Sequence, residues 1–335
     1  MVSDHGCIRV FKQAKILIDA GYKVDLFCRK EPFGWNIFNT VSIFDDAEQL
    51  HRLVDEAQAD ILHVHNEPDW LIYETKVAAK VPVIFDVHDV QCLRIQSTSR
   101  EEELAFDAAD AFIFVGDHAR VLTSSFYTLD KPTTVIMSMV NKDFLCDVTW
   151  GANFDSVCYE GGIRPPDHQP VLNGTHFVNY RDYMPAVKAF TNQGFNFTIH
   201  KANKAYTEEY AKAGANVIEP MLYHYMLRAL HLHGFGLVGS CYHVVAMHAA
   251  MPNKLFVYMS QGVVPIVLNA ATVGEFVIGN KLGYELESLF DIRSQLKGRD
   301  HNEKTRKRVI ANRKKYTMET QLDKLSKFYE EVLDA

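Results

Sequence analysis

The chain has 335 residues, of which 47% are hydrophobic and 23% charged, and its formal net charge is −7. This length exceeds one ordinary hydrophobic core and predicts two domains. The negative charge argues against a general nucleic-acid binder, and no apolar run approaches the roughly 18 residues that cross a bilayer. The amino terminus has no basic-then-apolar signal pattern, and the six scattered cysteines form no Cys-x-x-Cys pair. We therefore expect a cytoplasmic globular protein with free thiols.

Helices and strands alternate along the first half of the sequence. Apolar residues at helical spacing predict a first helix over Arg9–Ala20, with Gly21 as its C-cap, and then a strand over Val24–Cys28. Strands that alternate with helices imply parallel pairing with right-handed crossovers. The remaining predicted elements of this half are the helices Asp46–Gln58, Trp70–Ala79, Glu101–Ala109 and Asp117–Phe126, and the strands Ile61–His65, Pro82–Val87, Ala111–Val115 and Thr133–Met137.

Only Met1–Gly6 precede the first predicted helix. A doubly wound sheet of this kind begins with a central strand and a glycine-rich turn. Six residues are too few to supply both. We therefore expect the first strand to be missing, which would expose ladder groups on both neighbouring strands. Two explanations stay open: the chain lacks its natural beginning, or its sheet is closed differently.

The alternating pattern loosens near residues 141–153, where we place the linker between two domains. A second alternating set follows it, with strands at Val157–Glu160, Phe195–His200, Asn216–Ile218 and Phe235–Val238 and helices at Asp182–Asn192, Thr207–Ala213 and Leu222–His231. We assign residues 1–145 to a first domain, 153–315 to a second, and 316–335 to an amphipathic closing helix.

The stretch Met251–Val267 reads MPNKLFVYMSQGVVPIV. It predicts a turn, a helix that begins at Asn253, a stop at Gly262 and a buried strand from Val264. The start of a helix attracts anions, phosphate above all, and Lys254 would add a positive charge there.

The pattern Pro-Asn-Lys-Leu-Phe-x-Tyr-Met-x-x-Gly-x-x-Pro-Ile-Val resembles the donor-site motif of GT-B glycosyltransferases, particularly those of family four, which use nucleotide-activated sugars. The resemblance implies an α/β fold in which two Rossmann-like, doubly wound domains face a cleft and a C-terminal helix crosses back to the first domain. It also implies a retaining, metal-independent glycosyltransferase. A UDP- or GDP-sugar would be the co-substrate, no other cofactor would be needed, and the leaving phosphate would accept the proton of the acceptor hydroxyl.

The same resemblance assigns individual residues. Gly161 and Gly162 match the family's glycine-rich turn, which lets the backbone approach the diphosphate. Gly162 stands where many relatives carry an arginine, so Arg164 and Arg181 are the candidate replacements. His88 matches a histidine that contacts the transferring sugar or positions the acceptor.

In the family, the residue after Phe256 is usually a glutamate that holds the ribose hydroxyls. Here it is Val257, which accepts no hydrogen bond, and Glu275 is the nearby carboxylate that can replace it in part. The predicted catalytic residues are His88, Arg164, Arg181 and Lys254. The predicted donor-binding residues are Gly161, Gly162, Pro252, Asn253, Lys254, Leu255, Val257 and Glu275.

No metal site is expected. His63 and His65 are predicted to point to opposite faces of one strand, where they cannot chelate one ion. The irregular spacing of His231, His233, His243 and His248, and their lack of carboxylate partners, also argue against a metal.

The expected partners are a nucleotide sugar and an acceptor that the sequence does not identify. The basic run Lys304–Lys315 is interpreted as a solvated helix face, with contact to anionic lipid headgroups or to nucleic acid as the alternative. Nucleic acid is not expected as a partner. Three other functions stay open: a GT-B binding protein that has lost activity, a glycosyltransferase that acts on modified nucleic acid, and a sugar-nucleotide epimerase. Val257, Gly162 and the missing first strand favour the first of these.

Overall fold

The computed structural model describes residues 1–148, 151–165, 171–172, 175–176, 178–201 and 205–335. The chain divides into two compact units. Unit 1 comprises Met1–Asn141 and Met318–Ala335, and unit 2 comprises Lys142–Thr317. Each unit is built around one parallel β-sheet whose strands alternate with helices along the chain, as the alternating apolar pattern predicted.

Unit 1 contains a seven-stranded parallel sheet in the order β3-β2-β1-β4-β5-β6-β7. Its strands are β1 (Val2–His5), β2 (Leu26–Lys30), β3 (Val41–Ile43), β4 (Leu62–His65), β5 (Val83–Val87), β6 (Ala111–Phe114) and β7 (Thr133–Val135). Its helices before the crossing to unit 2 are α1 (Ile8–Asp19), α2 (Ala47–Glu56), α3 (Trp70–Ala78), α4 (Gln91–Ile95), α5 (Arg100–Ala108) and α6 (Asp117–Thr123).

The first strand, which we expected to be missing, is present. β1 lies in the middle of the sheet, where Val2 pairs with Phe27 of β2 on one side and with Val64 of β4 on the other. Four residues are enough because the strand is short and paired on both sides. Gly6 then forms a close turn, since a Cβ at this position would lie 2.2 Å from Cβ of Pro32. The strand was missed because only one of its residues, Val2, is strongly apolar.

Unit 2 contains a six-stranded parallel sheet in the order β12-β11-β8-β13-β14-β15, and a separate antiparallel pair, β9 and β10. Its strands are β8 (Asn153–Gly161), β9 (Val171–Leu172), β10 (Thr175–His176), β11 (Asn196–Lys201), β12 (Asn216–Ile218), β13 (His233–Gly239), β14 (Val264–Leu268) and β15 (Tyr284–Glu285). Its helices are α7 (Met184–Asn192), α8 (Thr207–Lys212), α9 (Tyr223–Leu230), α10 (Val245–Ala249), α11 (Asn253–Ser260), α12 (Ala271–Gly279), α13 (Ile292–Gln295) and α14 (Arg299–Asn312).

Helix α11 packs closely against β13 because Gly236 has no side chain. A Cβ at Gly236 would lie 2.4 Å from Cδ2 of Tyr258. The Tyr258 hydroxyl in turn accepts a hydrogen bond from the backbone N–H of Glu160, at 2.8 Å. Tyr258 thereby joins α11 to the end of β8.

Gly236→Ala should lower the free energy of unfolding by about 2 kcal/mol, because the added methyl group forces Tyr258 out of its packed position. Urea denaturation measures the change. The matched control is Gly279→Ala, at a helical position with nothing within 4 Å of an added Cβ. Equal stabilities for the two variants would contradict this account of the packing.

The last helix, α15 (Leu322–Asp334), belongs to unit 1. Gln321, directly before it, accepts a hydrogen bond from N–H of Met137 at 2.8 Å and donates one to the Met137 carbonyl at 2.7 Å. Leu325, Phe328 and Val332 form its buried face. The chain thus returns to unit 1 at its end, as the resemblance to the GT-B fold implied.

Two arginines of the basic run, one on α14 and one directly after it, serve the fold. Arg306 is buried and donates to the carbonyl of Gly262 at 3.1 Å, and Arg313 donates to the carbonyl of Ser260 at 3.0 Å. Both carbonyls lie at the C-terminal end of α11, where cations are stabilising. Lys304 and Lys307 are exposed. Within the described residues, no helix has both the length and the apolar character needed to cross a bilayer.

Candidate functional site

The strand order of the unit 2 sheet reverses between β8 and β13. The chain first adds β11 and β12 on one side of β8, and then adds β13 on the other side. Open α/β sheets bind ligands at the carboxyl ends of the strands at such a point. Both strands end in glycines with positive φ: Gly161 at 136° and Gly239 at 108°. These conformations leave backbone, without side chains, at this edge of the sheet.

Two cationic side chains converge on the diglycine turn that follows β8. A Cβ at Gly161 would lie 3.4 Å from Nζ of Lys254 and 3.1 Å from the hydroxyl oxygen of Tyr159. A Cβ at Gly162 would lie 3.5 Å from Nη1 of Arg181. Four residues that the sequence analysis singled out, Gly161, Gly162, Arg181 and Lys254, therefore lie together. Tyr159, which no motif indicated, lies with them.

The other candidate arginine, Arg164, is fixed through its backbone. Its N–H donates to the carbonyl of Arg181 at 3.0 Å, and its carbonyl accepts from the Tyr210 hydroxyl at 2.7 Å. The guanidinium of Arg181 lies over the ring of Tyr180, 5.4 Å from its centroid. The guanidinium of Arg181 thus lies beside the glycine turn, and the role of Arg164 stays a prediction.

Helix α11 begins at Asn253, as predicted, with Pro252 at its N-cap. Pro252 contributes no capping side chain, and the dipole of the helix favours negative charge at this end. Lys254, in the first turn, is partly exposed. Leu255 and Val257 are fully buried. Both side chains belong to the core, and the donor-binding role of these two residues stays a prediction.

Glu275, predicted to replace the missing ribose ligand, lies on α12 with its side chain exposed. The neighbouring Gly274 faces inwards, where a Cβ would lie 2.5 Å from Oε1 of Glu285. Glu275 thus lies on the solvent side of α12.

A second cluster of polar residues lies in unit 1 and surrounds the carboxylate of Asp86 on β5. Nε of Arg9 donates to Oδ1 at 2.9 Å, and Nε2 of Gln13 donates to Oδ2 at 2.9 Å. Nε2 of His63 lies 3.2 Å from Oδ2, and Nδ1 of His65 lies 3.5 Å from it. Asp86, His65 and Gln13 are completely buried, and Arg9 and His63 are nearly so.

Burial and charge act in opposite directions on this cluster. Burial raises the pKa of Asp86, but the charge of Arg9 and hydrogen bonds from the imidazoles outweigh it and hold the pKa well below its ordinary value. Burial lowers the pKa of His63 and His65. The result is an ionised carboxylate paired with Arg9 and flanked by neutral histidines.

The prediction that His63 and His65 face opposite ways was wrong, because residues two apart on a strand share a face. Their rings are stacked, with centroids 4.4 Å apart and planes 9° from parallel. One donor atom from each ring and one from Asp86 lie within 4.8 Å of one another, as in a metal site. However, the lone pairs of an imidazole lie in its ring plane, so two stacked rings cannot both aim at one ion. We therefore assign no metal to this cluster.

His88 lies just beyond the end of β5, with its side chain 17% exposed. Its Nδ1 is 3.8 Å from Oδ1 of Asp86, and its backbone N–H donates to Oδ1 of Asn66 at 3.1 Å. Nδ2 of Asn66 also donates to Oδ1 of Asp69 at 3.1 Å. The predicted histidine is thus held at the carboxyl edge of the unit 1 sheet by a network that the sequence did not indicate.

Asp69 is buried, and burial, followed by the charge of Glu102, raises its pKa from 3.8 to about 7. Above pH 7 the buried carboxyl group of Asp69 is therefore ionised in the folded protein, and this charge lowers the free energy of unfolding. Asp69→Asn should raise the free energy of unfolding by about 2 kcal/mol at pH 8. This stability advantage of Asp69→Asn over the wild type should shrink as the pH falls from 7 towards 4. In that range Asp69 is protonated in the folded wild type but not in its unfolded chain.

Urea denaturation at pH 8 and pH 4.5 checks this prediction. The control is Asp60→Asn, at an exposed position, which should change little at either pH. An equal gain for Asp69→Asn at both pH values would contradict the raised pKa.

Comparisons with known proteins find similarity at the level of structure. No protein-family model and no curated protein matches the sequence. Sucrose-phosphate synthase from Thermosynechococcus elongatus matches with a TM-score of 0.70 and 12% identity, covering 99% of both chains. HepE from Anabaena, solved in complex with UDP, has a TM-score of 0.71 and 10% identity, covering 98% of both chains. An alpha-glucosyltransferase, solved with UDP and a 13-mer DNA containing an HMU base, has a TM-score of 0.67 and 12% identity, covering 100% of this chain and 99% of its own.

Similarity at 10–12% identity establishes the fold alone. The chain has the two-unit α/β fold of the GT-B glycosyltransferases, with parallel sheets of seven and six strands. The fold that the motif resemblance implied is confirmed, while membership of family four stays a prediction.

Proposed function

We propose that the protein is a glycosyltransferase that moves a sugar from a nucleotide-sugar donor to an acceptor hydroxyl. The observation that carries the proposal is the convergence of Lys254 and Arg181 on the Gly161–Gly162 turn of unit 2. A diphosphate placed against this turn would meet two cations, glycine backbone and the first turn of α11. These are the groups that bind phosphate in α/β proteins.

The same groups suit the chemistry of transfer. The diphosphate gains negative charge as its bond to the sugar breaks, and preorganised cations and N–H donors stabilise that charge. Lys254 and Arg181 would supply the positive charge that a metal supplies in other transferases. The proposal therefore includes metal independence, and, from the family resemblance, retention of the anomeric configuration. UDP is the first donor nucleotide to test, because HepE and the alpha-glucosyltransferase were solved with it.

The acceptor is assigned to unit 1. His88 and the network behind it lie at the carboxyl edge of that sheet, the usual ligand edge of an open α/β fold. A half-buried histidine there can hydrogen-bond a sugar or an acceptor hydroxyl.

A donor panel tests the proposal. Purified protein is incubated with UDP- and GDP-sugars, and release of nucleotide is followed with and without simple glycan acceptors. Calorimetry with UDP and GDP measures binding separately. We expect binding of one nucleotide and turnover of its sugar. Binding without turnover across the panel would instead establish an inactive binding protein. The valine at position 257, in place of the glutamate of the family pattern, favours that outcome. Release of an epimerised nucleotide sugar without acceptor would establish an epimerase.

DNA is a second candidate acceptor. Two features favour it: the similarity to an alpha-glucosyltransferase solved with DNA, and the exposed Lys304 and Lys307 on α14. The net charge of −7 counts against it. A gel shift with duplex DNA, repeated in the Lys304→Met/Lys307→Met variant, tests this candidate. Salt-sensitive binding that the variant loses would support DNA, and no shift at low salt would exclude it.

A further inference from the structure

The hydroxyl of Tyr159 joins the lysine of the proposed donor site to the glycine turn. It accepts a hydrogen bond from Nζ of Lys254 at 3.0 Å and donates one to the carbonyl of Gly162 at 3.0 Å. Burial raises the pKa of Tyr159, so the hydroxyl keeps the proton that it donates. One side chain thereby sets the position of the cation relative to the turn.

The ring of Tyr159 holds the same ammonium group. Nζ of Lys254 lies 4.2 Å from the ring centroid of Tyr159 and 5.9 Å from that of Tyr183, which is near the reach of a cation–π contact. The two rings have centroids 3.9 Å apart, and both side chains are almost completely buried. Lys254 therefore lies on a rigid aromatic surface.

We propose that Tyr159 is a positioning residue, whose hydroxyl holds Lys254 where the donor diphosphate meets it. The inference rests on the proposed function. A lysine side chain loses much conformational freedom when it is fixed on a ligand. Tyr159 fixes it before the ligand arrives, which removes part of that cost from binding. The hydrogen bond from Tyr159 to the Gly162 carbonyl fixes the position of the lysine relative to the glycine turn.

The test is Tyr159→Phe, which removes the hydroxyl and keeps the ring. Calorimetry with UDP and with inorganic pyrophosphate measures affinity, and thermal unfolding checks that the variant folds. We expect affinity for both probes to fall about tenfold, the effect of one hydrogen bond to a charged group. Affinity for uridine, which has no phosphate, should stay unchanged.

The matched control is Tyr284→Phe. Tyr284 is also buried in unit 2, and its hydroxyl donates to Asn302 on α14. Its loss removes one buried hydrogen bond from the fold and nothing from the Lys254 site, so UDP affinity should stay within about twofold of wild type. An equal loss of affinity in both variants would assign the effect to general weakening of unit 2 and overturn the proposal.

A double-mutant cycle with Lys254→Met separates positioning from structure. If Tyr159 acts through Lys254, then Tyr159→Phe should weaken pyrophosphate binding in the wild type and have little effect when Lys254 is already methionine. Additive effects would overturn the positioning role, as would unchanged affinity in Tyr159→Phe beside lost affinity in Lys254→Met. A wild-type protein that binds no nucleotide and no pyrophosphate would instead refute the proposed function.

Discussion

Replacing Lys254 by methionine is expected to weaken UDP binding by about 100-fold and to reduce turnover of the donor at least as much. Loss of one partner of a charge pair costs about 2–5 kcal/mol, and each 1.4 kcal/mol is a factor of ten in affinity. Nζ of Lys254 lies beside the position that a Cβ at Gly161 would occupy, so its charge acts directly at the turn. Calorimetry with UDP measures the loss, and the donor assay measures the rate.

The matched control for this variant is Lys304→Met, which removes an exposed lysine of the same unit. It loses the same charge and should bind UDP as the wild type does, at physiological salt. Unchanged affinity in Lys254→Met, or an equal loss in both variants, would remove the proposed donor site.

Replacing Asp86 by asparagine is expected to lower the free energy of unfolding by about 3–5 kcal/mol at pH 7, because a buried cation loses its counter-charge. In the described residues, Nη1 and Nη2 of Arg9 are buried without a hydrogen-bond partner, so the carboxylate of Asp86 is the acceptor on which this guanidinium depends. The difference from wild type should shrink below about pH 4, because the wild-type carboxyl group is then protonated in the unfolded chain.

The double variant Arg9→Met/Asp86→Asn is the control for the buried pair. It removes both charges and should be more stable than the sum of the single changes predicts, by at least about 1 kcal/mol. Urea denaturation of the wild type, the two single variants and the double variant measures this coupling energy. Additive effects would show that the pair does not stabilise unit 1 through its charges.

The regular part of the fold could be predicted because its signal is local. Asn253, Gly262 and Val264 mark the beginning of a helix, its end and the next strand, and the structure has α11 and β14 at these positions. Buried parallel strands read as continuous apolar runs and amphipathic helices as periodic ones. Both signals extend over enough residues to be detected.

What the sequence analysis missed depends on contacts between distant residues. Strand β1 is recognisable only through its pairing with β2 and β4. The bond between Lys254 and Tyr159 joins residues that are 95 positions apart. Arg9 and Asp86 are 77 positions apart, and no sequence pattern predicted their contact. The proximity of Arg181 to Gly162 likewise joins residues that are not neighbours in the sequence.

The burial of Val257 has a consequence for the donor site. In the family pattern this position carries the carboxylate for the ribose, and here it carries a core side chain. Glu275 is exposed on α12. The diphosphate therefore makes the main contacts in the proposed site, and nucleoside diphosphates should bind much more tightly than the corresponding nucleosides.

A crystal of the protein soaked with UDP tests the central claim most directly. We predict that the diphosphate lies against Gly161 and Gly162, with one phosphate oxygen about 3 Å from Nζ of Lys254 and another facing the first turn of α11. UDP bound elsewhere, with no phosphate oxygen near Lys254 and the start of α11 covered by protein, would contradict the account.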